Sequence, residues 1–233
     1  MPITLYDLAG DDEDLRFSPH CWRVRMALVH KGLAFETVPW RFIEKDAIAF
    51  SGQKLVPVMT DGSHWGADSW EIARYLETTW RDRPSLFGGA VGEAEALFVK
   101  HWTEQVVHPA IFRIILLDLF AVLHEKDKAY FRESREKRVG CSLEAFAQPN
   151  EHGVAALRAS LVPLGATLAR QPFVGGASPT FGDYLLFGAF MWARAVSPIA
   201  LIEADDPVHA WRERLLDAFD GYARKARSAH ALL

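Results

Sequence analysis

The sequence predicts a protein of two parts, a mixed α/β domain over residues 1–80 and an all-helical domain over residues 93–233. Two observations support this division. The first third of the chain contains short runs of β-forming residues that alternate with stretches of helical period, whereas every later apolar pattern has the helical period. The segment 81–92 between the two parts is polar and contains Pro84 and two adjacent glycines, which is typical of a linker.

The composition limits the classes of function. The chain has 233 residues, of which 50% are hydrophobic, and a formal net charge of −4, which argues against a nucleic-acid binder. No apolar run approaches the ~20 residues of a membrane span, and no charged region typical of a signal peptide is seen, so we expect a cytoplasmic protein without a membrane partner. Two cysteines cannot build a disulfide framework, and 15 phenylalanines with 8 tryptophans suit a pocket for flat apolar ligands.

The first strand is predicted over Ile3–Leu8 and the first helix from Pro19 to about Lys31. Ser18 is a favourable N-cap residue, Pro19 suits the first helical position, and Gly32 suits the position after the helix. A helix that begins after a strand directs free backbone N–H groups and the positive end of its dipole towards whatever lies beside Ser18. Ser18 therefore either simply caps the helix or uses its hydroxyl to hold a thiolate or an oxyanion.

Residues 33–66 predict the rest of a small sheet. Phe35–Val38 alternates apolar and polar residues, and the strand–helix–strand order implies that this strand is parallel to the first. A weak helical pattern from Arg41 to Ser51 predicts a short irregular helix. Val58-Met59 and His64-Trp65-Gly66 predict an antiparallel hairpin with Asp61-Gly62 at its turn.

Pro57 stands at the entrance of this hairpin, and two interpretations are open. It is either an ordinary proline at the start of a strand or part of a cis Val56-Pro57 peptide bond that turns neighbouring backbone groups towards a ligand. A third helix is predicted from Trp70 to about Thr79, and Asp68 and Ser69 precede it. One carboxylate and one hydroxyl at the positive end of a helix dipole suit a zwitterionic amino-acid head group, although the same pair is also a common helix cap.

The second part of the chain predicts five helices separated by breaks at Gln148-Pro149-Asn150 and Gly175–Pro179. Their predicted ranges are Glu93–Leu123, Lys126–Phe146, Val154–Ala169, Asp183–Ser197 and Pro207–Lys225. Thr180-Phe181-Gly182-Asp183 has the pattern of a capping box with Asp in the last position. The helix that follows is apolar on every side, which predicts that it is the buried centre of the helical domain.

This order of elements, together with three short motifs and the capping box, resembles the cytosolic glutathione transferases. The resemblance is carried by Ser18-Pro19 with Trp22-Arg23-Val24-Arg25, by Leu55-Val56-Pro57, by Asp68-Ser69 and by Thr180–Asp183. It implies a thioredoxin-like N-terminal domain, an all-α C-terminal helical bundle, glutathione as co-substrate and assembly into a homodimer. The Ser-Pro pair resembles the motif of the Ser-type classes, in which the serine activates the thiol.

Within that family, three features are similar to the bacterial lignin β-etherases and to a related etherase-like fungal class. They are the long loop before Ser18, the stretch from Trp102 to Arg113, and the run Phe131-Arg132-Glu133-Ser134-Arg135-Glu136. This similarity implies cleavage of aryl ethers as one form of the transfer reaction. The acidic run Asp11-Asp12-Glu13-Asp14 in the loop differs from the etherase pattern.

The resemblance implies roles for single residues. Ser18 is the expected donor of a hydrogen bond to the glutathione thiolate, and lowering a thiol pKa by two pH units requires about 2.7 kcal/mol of extra thiolate stabilisation. A charged hydrogen bond of ~1.5–3 kcal/mol and a helix dipole of ~0.3–1 kcal/mol are sufficient. The residues expected to hold the rest of glutathione are Val56 and Pro57 for its cysteinyl unit, Asp68 and Ser69 for its γ-glutamyl head, and Gln53 or Lys54 for its glycyl end.

Two other residues compete for the role of Ser18. Tyr6 is an alternative thiolate donor because other transferase classes use a tyrosine at the end of the first strand. Cys21 is either a small buried apolar residue or a redox thiol. His20 and His108 lack a second ligand at a metal-binding spacing, so no metal is expected.

The acceptor pocket is expected between the two domains, along the first half of the helix that begins near Glu93. Its candidate residues are Trp102, Val106, His108, Phe112 and Arg113, with Tyr6 on the facing domain. A guanidinium within an apolar run favours an anionic partner. That partner of Arg113 is either a substrate or an acid of the chain such as Asp118 or Glu104.

Three functions are compatible with these observations. The first is transfer of the glutathione thiolate to a small hydrophobic electrophile, including cleavage of aryl ethers. The second is a maleylacetoacetate-type isomerase, which resembles this chain in its serine and in Trp22-Arg23-Val24-Arg25. The third is an interaction module with the same fold and no turnover, because a fold alone does not establish a function.

Overall fold

The N-terminal sheet contains four strands in the order β2-β1-β3-β4. The structure is a computed structural model and describes residues 2–230; residue 1 and residue 233, the outer limits of the predicted domains, lie outside this range. The strands are β1 (Ile3–Leu8), β2 (Phe35–Trp40), β3 (Val58–Asp61) and β4 (His64–Ala67). The predicted parallel pairing of β1 with β2 is confirmed, and β3 runs antiparallel to β1 and β4.

Two details of the sheet differ from the prediction. Strand β2 continues to Trp40 through Pro39, which is tolerated because β2 is an edge strand and one side of it needs no ladder hydrogen bonds. The hairpin turn is shifted by one residue, since Asp61 pairs with His64 and the two loop residues are Gly62 and Ser63. Gly62 has φ +60, which suits the first position of a two-residue hairpin loop.

Helix α1 (Pro19–His30) begins and ends as its sequence predicts. The Ser18 Oγ accepts a hydrogen bond of 3.2 Å from the backbone N–H of Cys21, and Gly32 after the helix has φ +64. A 3₁₀ helix over Lys45–Ser51 replaces the predicted irregular helix. Helix α2 (Ser69–Thr79) begins one residue earlier than predicted, directly after Asp68.

The predicted helix Glu93–Leu123 is continuous but not uniform. It consists of α3 (Ala90–Trp102), a π-helical turn over Thr103–Val107 and α4 (His108–Ala121). Proline has no N–H to donate, and its ring crowds the carbonyl four residues earlier. The widened turn directly before Pro109 relieves that conflict.

Two further predicted helices need correction. The range Lys126–Phe146 is divided into α5 (Glu125–Val139) and α6 (Leu143–Phe146), because Gly140 adopts the left-handed conformation at φ +78 and ends α5. Helix α9 (Pro207–Gly221) stops before the predicted Lys225, since Phe219 and Asp220 have positive φ. The remaining helices, α7 (Glu151–Leu168) and α8 (Phe181–Val196), agree with the prediction within a few residues.

Helix α8 is the buried centre of the helical domain, as its composition predicts. The predicted capping box is present, and the buried Asp183 carboxylate also accepts hydrogen bonds from Val174 N (2.7 Å), Gly175 N (3.1 Å) and Trp211 Nε1 (2.9 Å). The middle of α8 packs directly on the first turn of α1. At Gly188 a Cβ atom would lie only 2.3 Å from the carbonyl oxygen of Pro19. Backbone contact therefore fixes where α1 begins relative to the helical domain.

Within residues 2–230, no helix combines the length and the apolar composition that crossing a membrane requires.

Candidate functional site

A cavity of about 650 Å³ lies where the start of α1 meets the helical domain. Its walls come from the N-terminal ends of α1 and α4, the segment before β3, and helices α5 and α8. Aromatic and aliphatic side chains form most of the surface. The residues that line it are Leu8, Phe17, Ser18, Pro19, His20, Trp40, Phe42, Leu55, Val56, Glu104, His108, Pro109, Phe112, Leu119, Phe131, Arg135, Arg138, Val139, Phe146 and Trp192.

Ser18 lines this cavity at the N-terminus of α1. Its side chain is buried, and its Oγ already accepts the N–H of Cys21. The hydroxyl hydrogen remains available to donate a hydrogen bond. A hydroxyl donor at the positive end of a 12-residue helix is an arrangement that stabilises an anion.

Val56 lines the same cavity, and the Val56-Pro57 peptide bond is cis, as one of the two interpretations predicted. Pro57 itself is buried below the cavity surface. Gln53 and Lys54 are exposed and lie outside the lining. The Lys54 carbonyl accepts a hydrogen bond of 2.6 Å from Lys45 Nζ.

Asp68 and Ser69 stand at the start of α2. The Asp68 Oδ1 accepts hydrogen bonds from Trp70 N (2.8 Å) and Glu71 N (3.3 Å), so these two N–H groups are occupied by the chain's own carboxylate. Asp68 is thus the N-cap of α2, which agrees with the helix-cap interpretation of this pair. Asp68 is exposed, whereas Ser69 is buried and its Oγ lies 3.5 Å from Arg23 Nη1.

Arg23 is a buried residue that the sequence analysis did not single out as functional. Its Nη1 lies 2.8 Å from Glu104 Oε1 and 3.1 Å from His20 Nδ1, and its Nη2 lies 3.4 Å from His108 Nε2. Together with Ser69 this network joins α1, α2, the π-helical turn and α4. An arginine on the buried side of an apolar helix is the sequence signal that could have revealed it.

The ionisation of this network is strongly perturbed. Burial lowers the pKa of His20 to about 3, with further lowering by the charges of Arg23 and Lys100. Burial, then Arg23, also lowers the pKa of His108 well below its ordinary value. Burial raises the pKa of Glu104, but hydrogen bonds from Arg23 and Lys100 outweigh it and bring that pKa below the ordinary value. At neutral pH the network therefore holds neutral histidines and an ionised Glu104.

Cys21 and Tyr6, the two alternatives to Ser18, do not line the cavity. Cys21 is fully buried, and burial, followed by the charge of Asp7, raises the pKa of its thiol well above the ordinary value. Tyr6 packs against Phe50 on the 3₁₀ helix, with ring centroids 5.7 Å apart. A protonated, buried thiol matches the small-apolar interpretation of Cys21.

Of the candidate acceptor residues, His108 and Phe112 line the cavity, while Trp102, Val106 and Arg113 do not. The extra residue of the π-helical turn rotates α4 relative to α3, so positions chosen from a uniform helical period face different sides. Arg113 Nε donates to the Phe146 carbonyl at 3.3 Å. Neither expected acid is its partner.

The acids suggested for Arg113 have other partners. Glu104 pairs with Arg23 at 2.8 Å and with Lys100 at 2.9 Å. Asp118 Oδ2 accepts a hydrogen bond of 2.5 Å from Ser197. The interpretation of Arg113 as the partner of Asp118 or Glu104 is wrong.

Several aromatic residues of the cavity were not predicted, because distant segments bring them together. Phe112 and Trp192 stack with ring centroids 5.7 Å apart and planes inclined by 19°. Trp40, Phe42, Phe131 and Phe146 complete this wall. The total stock of aromatic residues was the only sequence signal for it. No group of three or more metal-ligating side chains occurs in the part of the chain that the structure describes.

Comparisons with known proteins agree with this architecture. The family described as glutathione S-transferase, C-terminal domain, matches residues 94–222, which is more than half of the chain, and the corresponding N-terminal domain family matches residues 17–79. A probable glutathione S-transferase of Oryza sativa subsp. japonica is 28% identical over 210 residues, covering 84% of this chain and 80% of that protein.

Two solved structures show the same fold. Glutathione transferase GSTFuA3 of Phanerochaete chrysosporium has a TM-score of 0.80 and 24% identity, with 95% of this chain and 97% of that chain covered. A glutathione S-transferase of Ceriporiopsis subvermispora, solved in complex with glutathione, has a TM-score of 0.80 and 23% identity over 95% and 98% of the two chains. The chain therefore belongs to the glutathione S-transferase family and is a glutathione transferase, an enzyme with glutathione as its co-substrate.

Proposed function

We propose that this enzyme is of the Ser type and transfers the glutathione thiolate to an aromatic electrophile. The single observation that supports this most directly is that Ser18, at the N-terminus of α1, opens on the same cavity as Val56 and an aromatic wall. One cavity thus offers a donor for an anionic sulfur and a surface for a flat apolar acceptor.

In this proposal Ser18 Oγ donates a hydrogen bond to the sulfur and is not itself a nucleophile. The titratable groups among the described lining residues that could act as a base are weak ones, because the pKa of His20 is about 3, the pKa of His108 is well below its ordinary value, and Glu104 is ion-paired with Arg23. The sulfur would be held as thiolate by the Ser18 hydroxyl and the helix dipole. The thiolate then attacks the electrophilic carbon, the carbon–sulfur bond forms, and the leaving group departs with its electron pair.

The remaining contacts with glutathione are also proposals. The backbone N–H and carbonyl of Val56, next to Pro57, would pair with the cysteinyl unit as an added strand. Asp68 Oδ2 would take the ammonium of the γ-glutamyl head, and the buried Ser69 lies beside it. Gln53 or Lys54 would reach the glycyl carboxylate.

The aromatic wall favours an acceptor with a ring. Phe112 and Trp192 lie nearly parallel, which gives a flat surface on which such a ring can stack. Cleavage of an aryl ether is the form of this reaction in which the carbon–oxygen bond breaks and an aryloxide leaves. The etherase-like assignment rests on that wall and on the sequence similarity described above.

The test is conjugation of chlorodinitrobenzene by the wild type and by Ser18→Ala. We expect kcat/KM to fall by about 10- to 100-fold in this variant, because one charged hydrogen bond to the sulfur is lost. Ser18→Thr keeps a hydroxyl and should retain most of the activity, and Ser63→Ala in the exposed hairpin loop should change nothing. Full activity of Ser18→Ala would contradict the proposal. Consumption of glutathione separates transfer from an isomerase, which regenerates it.

We also propose that the chain forms a homodimer through α3 and β4. Val91 and Phe98 on α3 are each 74% exposed, Leu97 is 41% exposed, and Trp65 on β4 is 42% exposed. Val91 and Phe98 are seven residues apart on α3 and therefore lie on the same face of that helix, and exposed large apolar side chains favour association. The domain limits 1–80 and 93–233, with the linker 81–92 between them, stay proposals, and limited proteolysis within 81–92 tests them. A cytoplasmic location also stays a proposal, and cell fractionation tests it.

A further inference from the structure

Helix α5 places two arginines on the outer wall of the cavity. Arg135 and Arg138 are three residues apart, so they lie on the same face of the helix, and both line the cavity. The Arg135 guanidinium lies 4.6 Å from the ring centroid of Phe131 and 5.1 Å from that of Phe42. The Arg138 guanidinium lies 5.3 Å from the ring centroid of Phe112. Two cations are thus built into the aromatic wall.

Among the described residues, no acidic side chain forms an ion pair with either of these two arginines. Within residues 2–230 neither Arg135 nor Arg138 takes part in an ion pair, whereas Arg132 on the same helix pairs with Glu136 and Glu144. The hydrogen bond of 2.9 Å from Arg135 Nη1 goes to the neutral hydroxyl of Ser134. The two arginines therefore leave a local excess of positive charge.

The opposite wall does not compensate for that excess. Glu104 is the one acidic residue among the described lining residues, and Arg23 and Lys100 already neutralise it. Burial and the neighbouring Arg138 lower the pKa of Arg135, which agrees with a cation that lacks a counter-charge. An arginine retains its charge even so, and its planar group suits a carboxylate or a sulfonate.

We infer that the acceptor substrate is an aromatic anion, in which a ring stacks on the aromatic wall and a carboxylate or sulfonate binds Arg135 and Arg138. This inference rests on the proposed transfer function and names its substrate class. In the reaction, the glutathione sulfur forms a bond to the ring carbon and chloride or another leaving group departs with its electron pair. The anionic substituent takes no part in bond making and only orients the ring.

Glutathione itself is a second source of a carboxylate, at its glycyl end. The surroundings of the two arginines favour the acceptor, since Phe42, Phe112 and Phe131 are aromatic and none of them belongs to the segment around Val56. The experiment therefore measures the affinity for the aromatic anion and for glutathione separately.

The first measurement is calorimetric binding of naphthoate and of neutral naphthamide to the full chain, with no chemistry involved. We expect naphthoate to bind about tenfold more tightly than naphthamide, and this preference to shrink to about twofold or less in the Arg135→Gln, Arg138→Gln double variant. Lys137→Gln, an exposed cation on the same helix, is the matched control and should keep the preference. Added salt should weaken naphthoate binding to the wild type more than naphthamide binding.

The second measurement compares conjugation of chlorodinitrobenzoate and chlorodinitrobenzene. We expect the double variant to raise KM about tenfold for the benzoate while KM for glutathione and for the neutral acceptor stays within about twofold. Equal binding of naphthoate and naphthamide by the wild type would overturn the inference, as would a preference that survives in the double variant or a rise confined to the KM for glutathione. A wild type that binds naphthoate selectively but conjugates neither acceptor would instead refute the proposed function.

Discussion

Arg23 joins four side chains from separate parts of the chain in one buried network beneath the cavity. A buried guanidinium is stable only when its hydrogen bonds and charge are satisfied, and Glu104 at 2.8 Å supplies the counter-charge. His20 and His108 accept from the same guanidinium only while they are neutral. The network therefore depends on the histidines staying unprotonated.

The first prediction concerns the pH dependence of stability. The pKa of His20 is about 3 in the folded chain against an ordinary value of 6.5, so between these values the unfolded chain binds a proton that the folded chain does not. The contribution of the neutral His20 to the free energy of unfolding is therefore present above about pH 6.5 and is lost as the pH falls below it. We expect the free energy of unfolding in urea to drop by about 1 kcal/mol for His20 between pH 7.5 and about pH 5.5, with a further loss from His108.

The matched variants isolate this effect. His20→Gln should show a smaller drop between the two pH values, whatever its stability at pH 7.5, and His152→Gln on the exposed side of α7 should show the drop of the wild type. An identical drop in wild type and His20→Gln would contradict the assignment of the effect to His20.

At the scale of elements, the contact between α1 and α8 connects the fold with the site. The carbonyl of Pro19 lies against Gly188, so the position of the first turn of α1, and with it Ser18, depends on that contact. A Cβ at Gly188 would approach this backbone oxygen to 2.3 Å, which neither helix can accommodate without moving.

The second prediction is that Gly188→Ala destabilises the protein although alanine is the better helix former. Overpacking costs about 1–3 kcal/mol, which exceeds the ~1 kcal/mol gained from helix propensity. Urea unfolding should show this loss, and conjugation of chlorodinitrobenzene should fall because Ser18 moves. Gly165→Ala on α7 is the control, since its Cβ would make ordinary contacts at 3.9 Å, and it should stabilise the protein. A stabilised Gly188→Ala with full activity would show that the contact does not hold the site.

At the scale of the whole molecule, the exposed apolar surface of α3 and β4 bears on assembly. The third prediction is that Phe98→Glu converts a dimer into a monomer, because a buried charge at an interface without a partner is strongly unfavourable. Light scattering coupled to gel filtration measures the mass directly. Phe50→Glu, an exposed phenylalanine on the 3₁₀ helix, should leave the mass unchanged. A wild type with the mass of one chain would refute the proposed dimer.

Local signals explain why much of the fold could be predicted. Ser18 with Pro19, Gly32, and Thr180 with Asp183 mark helix ends through interactions within a few residues, so the sequence contains all that is needed. The strand–helix–strand order likewise implies the parallel pair, because crossover connections have one preferred hand.

The parts that could not be predicted depend on contacts between distant segments or on departures from a regular period. The π-helical turn before Pro109 changes which side chains of α4 face the cavity. A regular helical period assumes 3.6 residues per turn throughout, so it does not predict the rotation that this wider turn introduces. Arg23 meets Glu104 only after the two domains pack together, and Arg135 meets Phe42 only because α5 packs against the segment after β2. Ser18 and Val56 each lie in a short motif that the sequence shows, and both line the cavity, whereas the residues of the aromatic wall belong to no such motif.

The central claim is that Ser18 and the start of α1 keep the sulfur of bound glutathione charged. It is tested most directly by the pKa of the thiol in the binary complex, followed through the ultraviolet absorbance of the thiolate as a function of pH. We predict a thiol pKa about two pH units below that of free glutathione in the wild type, and a return most of the way to the free value in Ser18→Ala. An unchanged low pKa in Ser18→Ala, or a wild-type pKa equal to that of free glutathione, would contradict the account.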